Sequence, residues 1–379
     1  MKNLFFKTML LISAAFMFTA CGSDEPDNGG DVIDSNIKAA LTQYVNGVVV
    51  PTYRSLANEA LDLAEISATL RKNPTQENLN LACEKWINAR KYWELSEAFL
   101  YGAAADYYID PHIDSWPLKK SLLDNVLNNA ELLAELDEDG ASANGFASLG
   151  YGVLGFHAIE YVLFRDGAPR NVTEITEGEL IWNAAVAEDL AIQTVRLEAA
   201  WAGLDNVTAA KRGMLEDAEL EPGTNYGEQL INAGLSGNVK YKKQMDGVVE
   251  VLQGASDISD EVGNTKITDP CNSGNVLDVE SWYSWNSIAD FTDNIRSVRN
   301  AYYGSLDGTV NSRSIAAYVK KNYPALHSNL VEKIDNALAE VSNMPAPFRN
   351  HLTFAENQAA IDACNDLMSA IDDVIARIQ

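Results

Sequence analysis

The stretch GYGVLGFHAIEYVLF, residues 150–164, sets the strongest constraint on how this chain folds. At helical spacing its apolar side chains cover every face, which predicts a helix buried on most sides by other helices. His157 and Glu160 lie in its middle, three residues apart, and so share one face. A buried carboxylate without a partner costs several kcal/mol. Glu160 must therefore be paired, protonated or bound to a cation.

Apolar residues recur at helical spacing in nearly every segment after residue 33, and clear alternating stretches are absent. We therefore expect an all-α protein with two helical-bundle domains, residues 34–204 and 205–379. The endings ARKYWELSEAFLYG and NIRSVRNAYYG both close a long helix with aromatic residues and a glycine. This similarity is compatible with two bundles related by duplication.

The first 33 residues have the pattern of an export and anchoring segment. Residues 1–20 carry two lysines and a short apolar run that ends in small residues, which predicts a signal peptide. The sequence FTAC resembles a lipobox, so we expect Cys21 to be lipidated; the alternative is simple cleavage that leaves an incidental thiol. Residues 21–33 are acidic and predict a solvated tether. We expect an outer-membrane lipoprotein of the cell envelope, facing either the periplasm or the exterior.

The chain carries a formal net charge of −26, which argues against nucleic acid as a partner. Contact with the membrane is expected only through the lipid anchor. Cations remain possible ligands, although most of the acids are explained by solubility. If Cys21 is lipidated, Cys83, Cys271 and Cys364 remain, so the chain has no disulfide framework, and their spacing matches no zinc motif.

Three interpretations of the His157–Glu160 pair stay open. The pair is a structural hydrogen bond, part of a metal site, or a general acid–base pair. Imidazole and carboxylate three residues apart on a helix both reach one ion in some metal-binding bundles. Two ligands do not complete a site, so a metal would need further ligands from neighbouring helices.

Two other helices offer such ligands. Arg90 and Glu97 share a predicted face with aromatic residues, which suggests a ligand role for Glu97 or a salt bridge between the two. Asp260 and Glu261 lie at a helix end, where acids are most often only solvated. Asp290 occurs in SWYSWNSIADFTDNIRSVRN, whose charged residues have the spacing of surface ion pairs.

These residues resemble a known family. GFHAIE, with Gly155, His157 and Glu160, is similar to the G-x-H-x-x-E signature of the imelysin family. The blocks WELSEAFLYG, IDSWP, ISDEVGNTKI and IADFTDNIRSVRNAYYG resemble its other recurring segments, in the family's order, so the resemblance covers about residues 36–379. It implies two all-α bundles with a site near their interface, in which His157 and Glu160 are site residues and a metal is the ligand.

The resemblance also implies two activities, bacterial iron uptake and metallopeptidase cleavage. A zincin needs H-E-x-x-H, which this chain lacks, and zinc hydrolases usually have at least two nitrogen or sulfur ligands. One histidine with several carboxylates suits iron better than zinc. We therefore expect the protein to bind iron or an iron chelate, with Glu97 and Asp260 completing the shell and an uptake partner protein. The alternatives are an imelysin-type metallopeptidase and an interaction module with a structural His–Glu pair.

Overall fold

The computed structural model describes residues 33–137 and 149–379, and within these ranges the protein is all-α, as predicted. The single sheet among them is a two-residue hairpin in which β1, Phe164–Arg165, pairs antiparallel with β2, Ala168–Pro169. The helices are α1 Ser35–Tyr44, α2 Val50–Lys72, α3 Gln76–Glu94, α4 Ala103–Asp106, α5 Ile109–Ile113, α6 Lys120–Leu127, α7 Ala130–Asp137, α8 Gly155–Leu163, α9 Glu177–Ala202, α10 Ala209–Asp217, α11 Tyr226–Ile231, α12 Gln244–Glu261, α13 Thr268–Ser273, α14 Ser287–Tyr303, α15 Ile315–Asn322, α16 Pro324–Ser342 and α17 Phe354–Ile378.

The first group of packed helices consists of α2, α3, α8 and α9. Large aromatic side chains fill the space around α8, and their polar atoms are satisfied by its backbone and by the turn before it. Trp86 Nε1 donates to the carbonyl of Phe156 at 2.9 Å, and Trp182 Nε1 donates to that of Val153 at 3.2 Å. The predicted buried helix is therefore enclosed by α3 and α9, as its apolar surface requires.

The second group consists of α12, α14, α16 and α17, with α1 and α15 packed beside it. α3 contacts α14, and one continuous hydrophobic core runs through both groups. This contact buries polar residues of α14 between the groups, among them Asp290 and Asn294. The domain boundary at residues 204 and 205, and the duplication, stay predictions.

Two helices continue through π-helical turns. α1 joins α2 through Val45–Val49, and α12 joins α13 through Val262–Ile267. The sequence GNTKITDPCNSGN predicts a loop after residue 262, but the chain stays helical there to Ser273. Such π turns widen a helix locally and are frequent at functional sites. The second one carries Lys266.

The expected export segment lies outside the described residues, and so does Cys21. Within the described ranges, no helix is both long and apolar enough to cross a membrane. The helix predicted in the stretch 150–164 is shorter in the structure, because a short 3-10 turn at Tyr151–Val153 precedes α8. Cys83, Cys271 and Cys364 are free thiols.

Candidate metal centre

Gly155 brings α8 against the end of α5. Its φ is +69°, a conformation that L side chains rarely adopt. A Cβ at this position would lie 2.0 Å from the carbonyl oxygen of Ile113. The motif glycine therefore allows a backbone approach that no other residue permits. Asp114 follows Ile113 directly, and the approach places its carboxylate beside His157.

His157 is buried, and carboxylates face both of its ring nitrogens. Nε2 lies 3.0 Å from Asp114 Oδ1 and 4.0 Å from Glu280 Oε1, while Nδ1 lies 3.3 Å from Glu160 Oε2. Burial opposes the charged imidazolium, but the carboxylates of Asp114 and Glu160 outweigh it and raise the pKa of His157 to about 9. The ring of Trp116 lies 4.5 Å away, measured between centroids.

Glu160 holds the Nδ1 side of this imidazole. Its Oε1 accepts from the backbone N–H of Ser284 at 2.8 Å and from the Ser284 hydroxyl at 2.7 Å. Both carboxylate oxygens are thus engaged, and the group faces the nitrogen opposite the Asp114 cluster. When Nδ1 donates its proton to Glu160, the Nε2 lone pair of a neutral His157 faces Asp114 and Glu280. This geometry gives Glu160 an orienting role.

The turn before α14 supplies Glu280 and Ser284. Two of its non-glycine residues, Ser281 and Trp285, have left-handed φ values of 53° and 62°. Such conformations cost about 1–3 kcal/mol each and persist where the surrounding structure requires them. The Ser287 hydroxyl donates to the Glu280 carbonyl at 2.6 Å and ties the turn to α14. One constrained turn therefore supplies groups to both sides of His157.

Arg90 lies at the centre of the acidic cluster and is fully buried. Its guanidinium pairs with Glu94 at 2.5 Å, with Glu280 at 2.6 Å, and with Asp114. A longer contact of 3.7 Å reaches Asp290. Burial opposes its charge, but these carboxylates raise the pKa of Arg90 well above its usual value. Arg90 thus joins α3, α14 and the segments that carry Asp114 and Glu280.

Lys266 is the second permanent cation of the cluster, with its side chain 8% exposed. Its Nζ lies 3.1 Å from Glu280 Oε2, 3.8 Å from Glu94 Oε2 and 3.9 Å from Glu97 Oε1. Glu97 pairs here because α3 ends at Glu94 and a 3-10 turn carries Glu97 to the cavity wall. The predicted alternative, a bridge between Arg90 and Glu97, is therefore replaced by a contact with Lys266.

The pKa values of the acids in the cluster differ according to the charges around each of them. Burial raises the pKa values of Glu94 and Glu97 well above the usual range and raises that of Asp290 to about 7. Burial acts in the same direction on Asp114 and Glu280, but Arg90 and Lys266 lower the pKa values of both below their ordinary values. Asp114 and Glu280 therefore carry negative charge beside His157, whereas the other three retain protons more readily.

Two sets of atoms in the described structure have the spacing of metal ligands. Asp114, His157 and Glu280 each offer one atom within 4.8 Å of the others, and Glu94, Glu97 and Asp114 do the same. Nε2 of His157 is buried and lies 3.0 Å from Asp114 Oδ1, but the contact lacks the direction of a good hydrogen bond. A polar atom in that position has an unused lone pair or proton. The first set therefore includes a ring nitrogen that a metal could bind once the proton of His157 leaves.

A cavity of about 800 Å³ opens beside the cluster. Lys266 is the one Lys or Arg among its described lining residues. Seven acids line it: Glu97, Asp110, Asp114, Glu261, Asp269, Asp278 and Glu280. The cavity gives a cation a route from solvent to Asp114 and Glu280, and its charge would concentrate cations.

Asp260 and Glu261 are adjacent on α12, but their side chains point in different directions. Glu261 lines the cavity, but Asp260, the residue expected to be a metal ligand, does not. Asp260 is exposed and accepts a hydrogen bond from Asn264 Nδ2 at 2.7 Å. Successive residues of a helix point about 100° apart, so only one of the pair faces the cavity. The structure thus does not bring Asp260 to His157.

The sequence profile of the imelysin family matches residues 49–374. The chain belongs to the imelysin family. It is 26% identical to Iron-regulated protein A of Synechococcus elongatus over 363 residues, which covers 96% of this chain and 89% of that protein.

Solved structures of the imelysin type have the same fold. A Parabacteroides distasonis protein described as an iron-regulated protein A precursor superposes with a TM-score of 0.79 at 29% identity, covering 93% of this chain and 97% of its own. An imelysin-like protein from Psychrobacter arcticum superposes with a TM-score of 0.64 at 14% identity, covering 90% of this chain and 94% of its own. The second likeness concerns the fold alone.

Proposed function

We propose that this protein captures an iron ion at Asp114, His157 and Glu280. The observation that carries the proposal is the position of His157 Nε2, which is buried without a well-directed hydrogen bond and lies 3.0 and 4.0 Å from carboxylate oxygens of these two acids. Ligand atoms bound to one ion at about 2.1 Å are separated by about 3–4 Å, so the group needs little rearrangement. The ion is cargo, and Glu160 orients the imidazole that binds it.

Charge balance supports a cation at this site. The described cluster holds three cations, Arg90, Lys266 and the charged His157. Six carboxylates lie around them: Glu94, Glu97, Asp114, Glu160, Glu280 and Asp290. Protons neutralise part of the excess negative charge, as the raised pKa values of three of these acids indicate. A metal ion replaces such protons when it binds. Binding is therefore expected to release protons.

The donor set favours iron over zinc. One imidazole with several carboxylates is an oxygen-rich set, whereas zinc sites usually have at least two nitrogen or sulfur ligands. His112, the nearest other histidine in sequence, pairs with Asp189 at 2.7 Å and stacks on Tyr151. Two relatives are named for regulation by iron, which supports the same choice.

The location follows from the N-terminal sequence. We propose that Cys21 is lipidated and anchors the protein to the outer membrane of the cell envelope, with the acidic tether between membrane and helices. Iron captured there must be passed on, so the proposal includes an uptake partner protein. Lys266 and Arg90 already occupy part of the site, which limits affinity and favours release.

Peptide hydrolysis remains the alternative that the family name suggests. A hydrolytic metal must hold a water as well as the protein ligands, and a general base must reach that water. Glu160, the acid nearest His157 in sequence, has both oxygens engaged by Ser284 and His157. Glu160 is therefore not free to act as the base, and capture is the better-supported function.

Metal content and calorimetry test the proposal. Purified protein should contain iron or bind ferrous or ferric ion with a stoichiometry near one. His157→Ala and Asp114→Asn should lose at least about tenfold in affinity, because each removes one ligand. His112→Ala is the matched control, since it removes another buried histidine with an aspartate partner, and it should keep the wild-type affinity. Equal binding by all four proteins would refute the site.

A further inference from the structure

A second cavity, of about 270 Å³, has the opposite charge to the first. It lies where β1, α6 and the turn before α14 meet. Asp166 is the one acid among its described lining residues. Three cations and three aromatic rings line most of the rest: Lys120, Tyr161, Arg165, Trp282, Tyr283 and Arg349. In a chain with a net charge of −26, a concentration of three cations around one small cavity is unexpected. We call this site the cationic pocket.

The aromatic rings hold the cations in place. The guanidinium carbon of Arg165 lies 4.3 Å from the ring centre of Tyr161 and 5.2 Å from that of Tyr283. That of Arg349 lies 4.5 Å from the ring centre of Trp282. Cation–π contacts of this kind orient a guanidinium without neutralising its charge. The arrangement therefore presents positive charge in a fixed geometry.

Carboxylates balance these charges only in part. Arg165 donates to the backbone carbonyls of Tyr161 and Phe164, and no ion pair forms with it among the described residues. Arg349 lies 3.7 Å from the largely exposed Asp166, and its buried Nε has no hydrogen-bond partner in the described structure. Only Lys120 has a close acidic partner, Asp124 at 2.6 Å.

An uncompensated cation in a partly buried position is costly. Burial, with the nearby charge of Arg170, lowers the pKa of Arg165. A bound anion would offset that cost, and guanidinium groups match the two oxygens of a carboxylate or phosphate. The volume lies just below the range of about 300–1,000 Å³ that is typical of sites for drug-sized ligands, so the anion must be small.

We propose that the cationic pocket binds a small oxyanion, a carboxylate or a phosphate, through the guanidinium groups of Arg165 and Arg349, with Lys120 at its rim. The site is separate from the proposed iron site, and its ligand does not depend on iron. Tyr161 follows Glu160 in sequence and Tyr283 precedes Ser284, so the pocket adjoins the contacts that orient His157.

Calorimetric titration of the full protein tests this, with inorganic phosphate and propane-1,2,3-tricarboxylate as probes at constant ionic strength. We expect saturable binding of at least one anion near one equivalent. Preference for phosphate would identify an inorganic ligand, and preference for the tricarboxylate an organic acid. Arg165→Gln should weaken binding about tenfold or more, because it removes charge-assisted hydrogen bonds.

Arg196→Gln is the matched control. Arg196 also stacks on a tyrosine, with its guanidinium carbon 4.1 Å from the ring centre of Tyr107, but it does not line the pocket. The affinity of Arg196→Gln for the anion should equal that of the wild type. Lys120→Gln is the second test variant, because Lys120 is exposed and its removal leaves the core intact; it should weaken binding severalfold. Absence of saturable binding by both anions, unchanged affinity in the folded pocket variants, or an equal loss in Arg196→Gln would overturn the proposal.

Discussion

Gly155→Ala should destabilise the protein and separate the two ligands that Gly155 brings together. An alanine with φ near +69° costs about 1–2 kcal/mol relative to glycine. Its Cβ would also lie 2.0 Å from the Ile113 carbonyl oxygen, so α5 and α8 must move apart. Overpacking of this kind costs typically about 1–3 kcal/mol. The expected loss in the free energy of unfolding is therefore about 2–5 kcal/mol, a large share of the stability of most proteins.

Equilibrium unfolding in urea, followed by tryptophan fluorescence, measures this loss as a lower midpoint. Iron affinity should fall as well, because Asp114 moves away from His157. The control is Gly213→Ala on α10, where an added Cβ meets no heavy atom within 4 Å. That variant should be as stable as the wild type or gain up to about 1 kcal/mol. If Gly155→Ala unfolds at the wild-type midpoint, the close approach does not determine the site.

Three further predictions concern the cavity. Lys266→Gln removes an ammonium 3.1 Å from Glu280 Oε2, so calorimetry should show a divalent cation binding about tenfold more tightly; weaker binding would show that Lys266 does not compete. The pKa of Asp110 is raised to about 7 by burial and by nearby acids. Its charged form therefore lowers the free energy of unfolding above pH 7, and the effect disappears below about pH 4, where the group is protonated in both the folded and the unfolded state. Asp110→Asn should therefore stabilise metal-free protein at pH 8 by about 1–2 kcal/mol in urea unfolding, and an equal gain at pH 4 would contradict this. Trp116→Phe should remove most of the iron-induced change in tryptophan emission, because its ring lies 4.5 Å from that of His157; an undiminished change would place the ion elsewhere.

The local sequence predicts the helices and the buried groups on them. His157 and Glu160 occur in an apolar run, and Arg90 recurs at helical spacing with Trp86 and Trp93, so their burial follows from periodicity. The all-α fold follows from the same pattern. In each case the helical spacing of apolar residues lies within a single helix, so the local sequence is sufficient.

Other site residues have no such local signal. Asp114 and Glu280 lie between helices, and only the approach of α8 to α5 and the turn before α14 bring them to His157. Lys266 lies between Gly263 and Pro270, a composition that suggests a loop, yet a π turn keeps the chain helical. Asp290 has the spacing of a surface ion pair but is buried where α14 meets α3. Tertiary contacts determine these positions, and periodicity does not report them.

The most direct test of iron capture is anomalous X-ray scattering from crystals of the iron-soaked protein, recorded on both sides of the iron absorption edge. Iron capture at this site predicts one strong iron peak within bonding distance of His157 Nε2 and of carboxylate oxygens of Asp114 and Glu280, with Lys266 displaced from Glu280. The peak should vanish in His157→Ala crystals. An iron peak away from these three side chains, or one that persists in His157→Ala, would contradict the assignment.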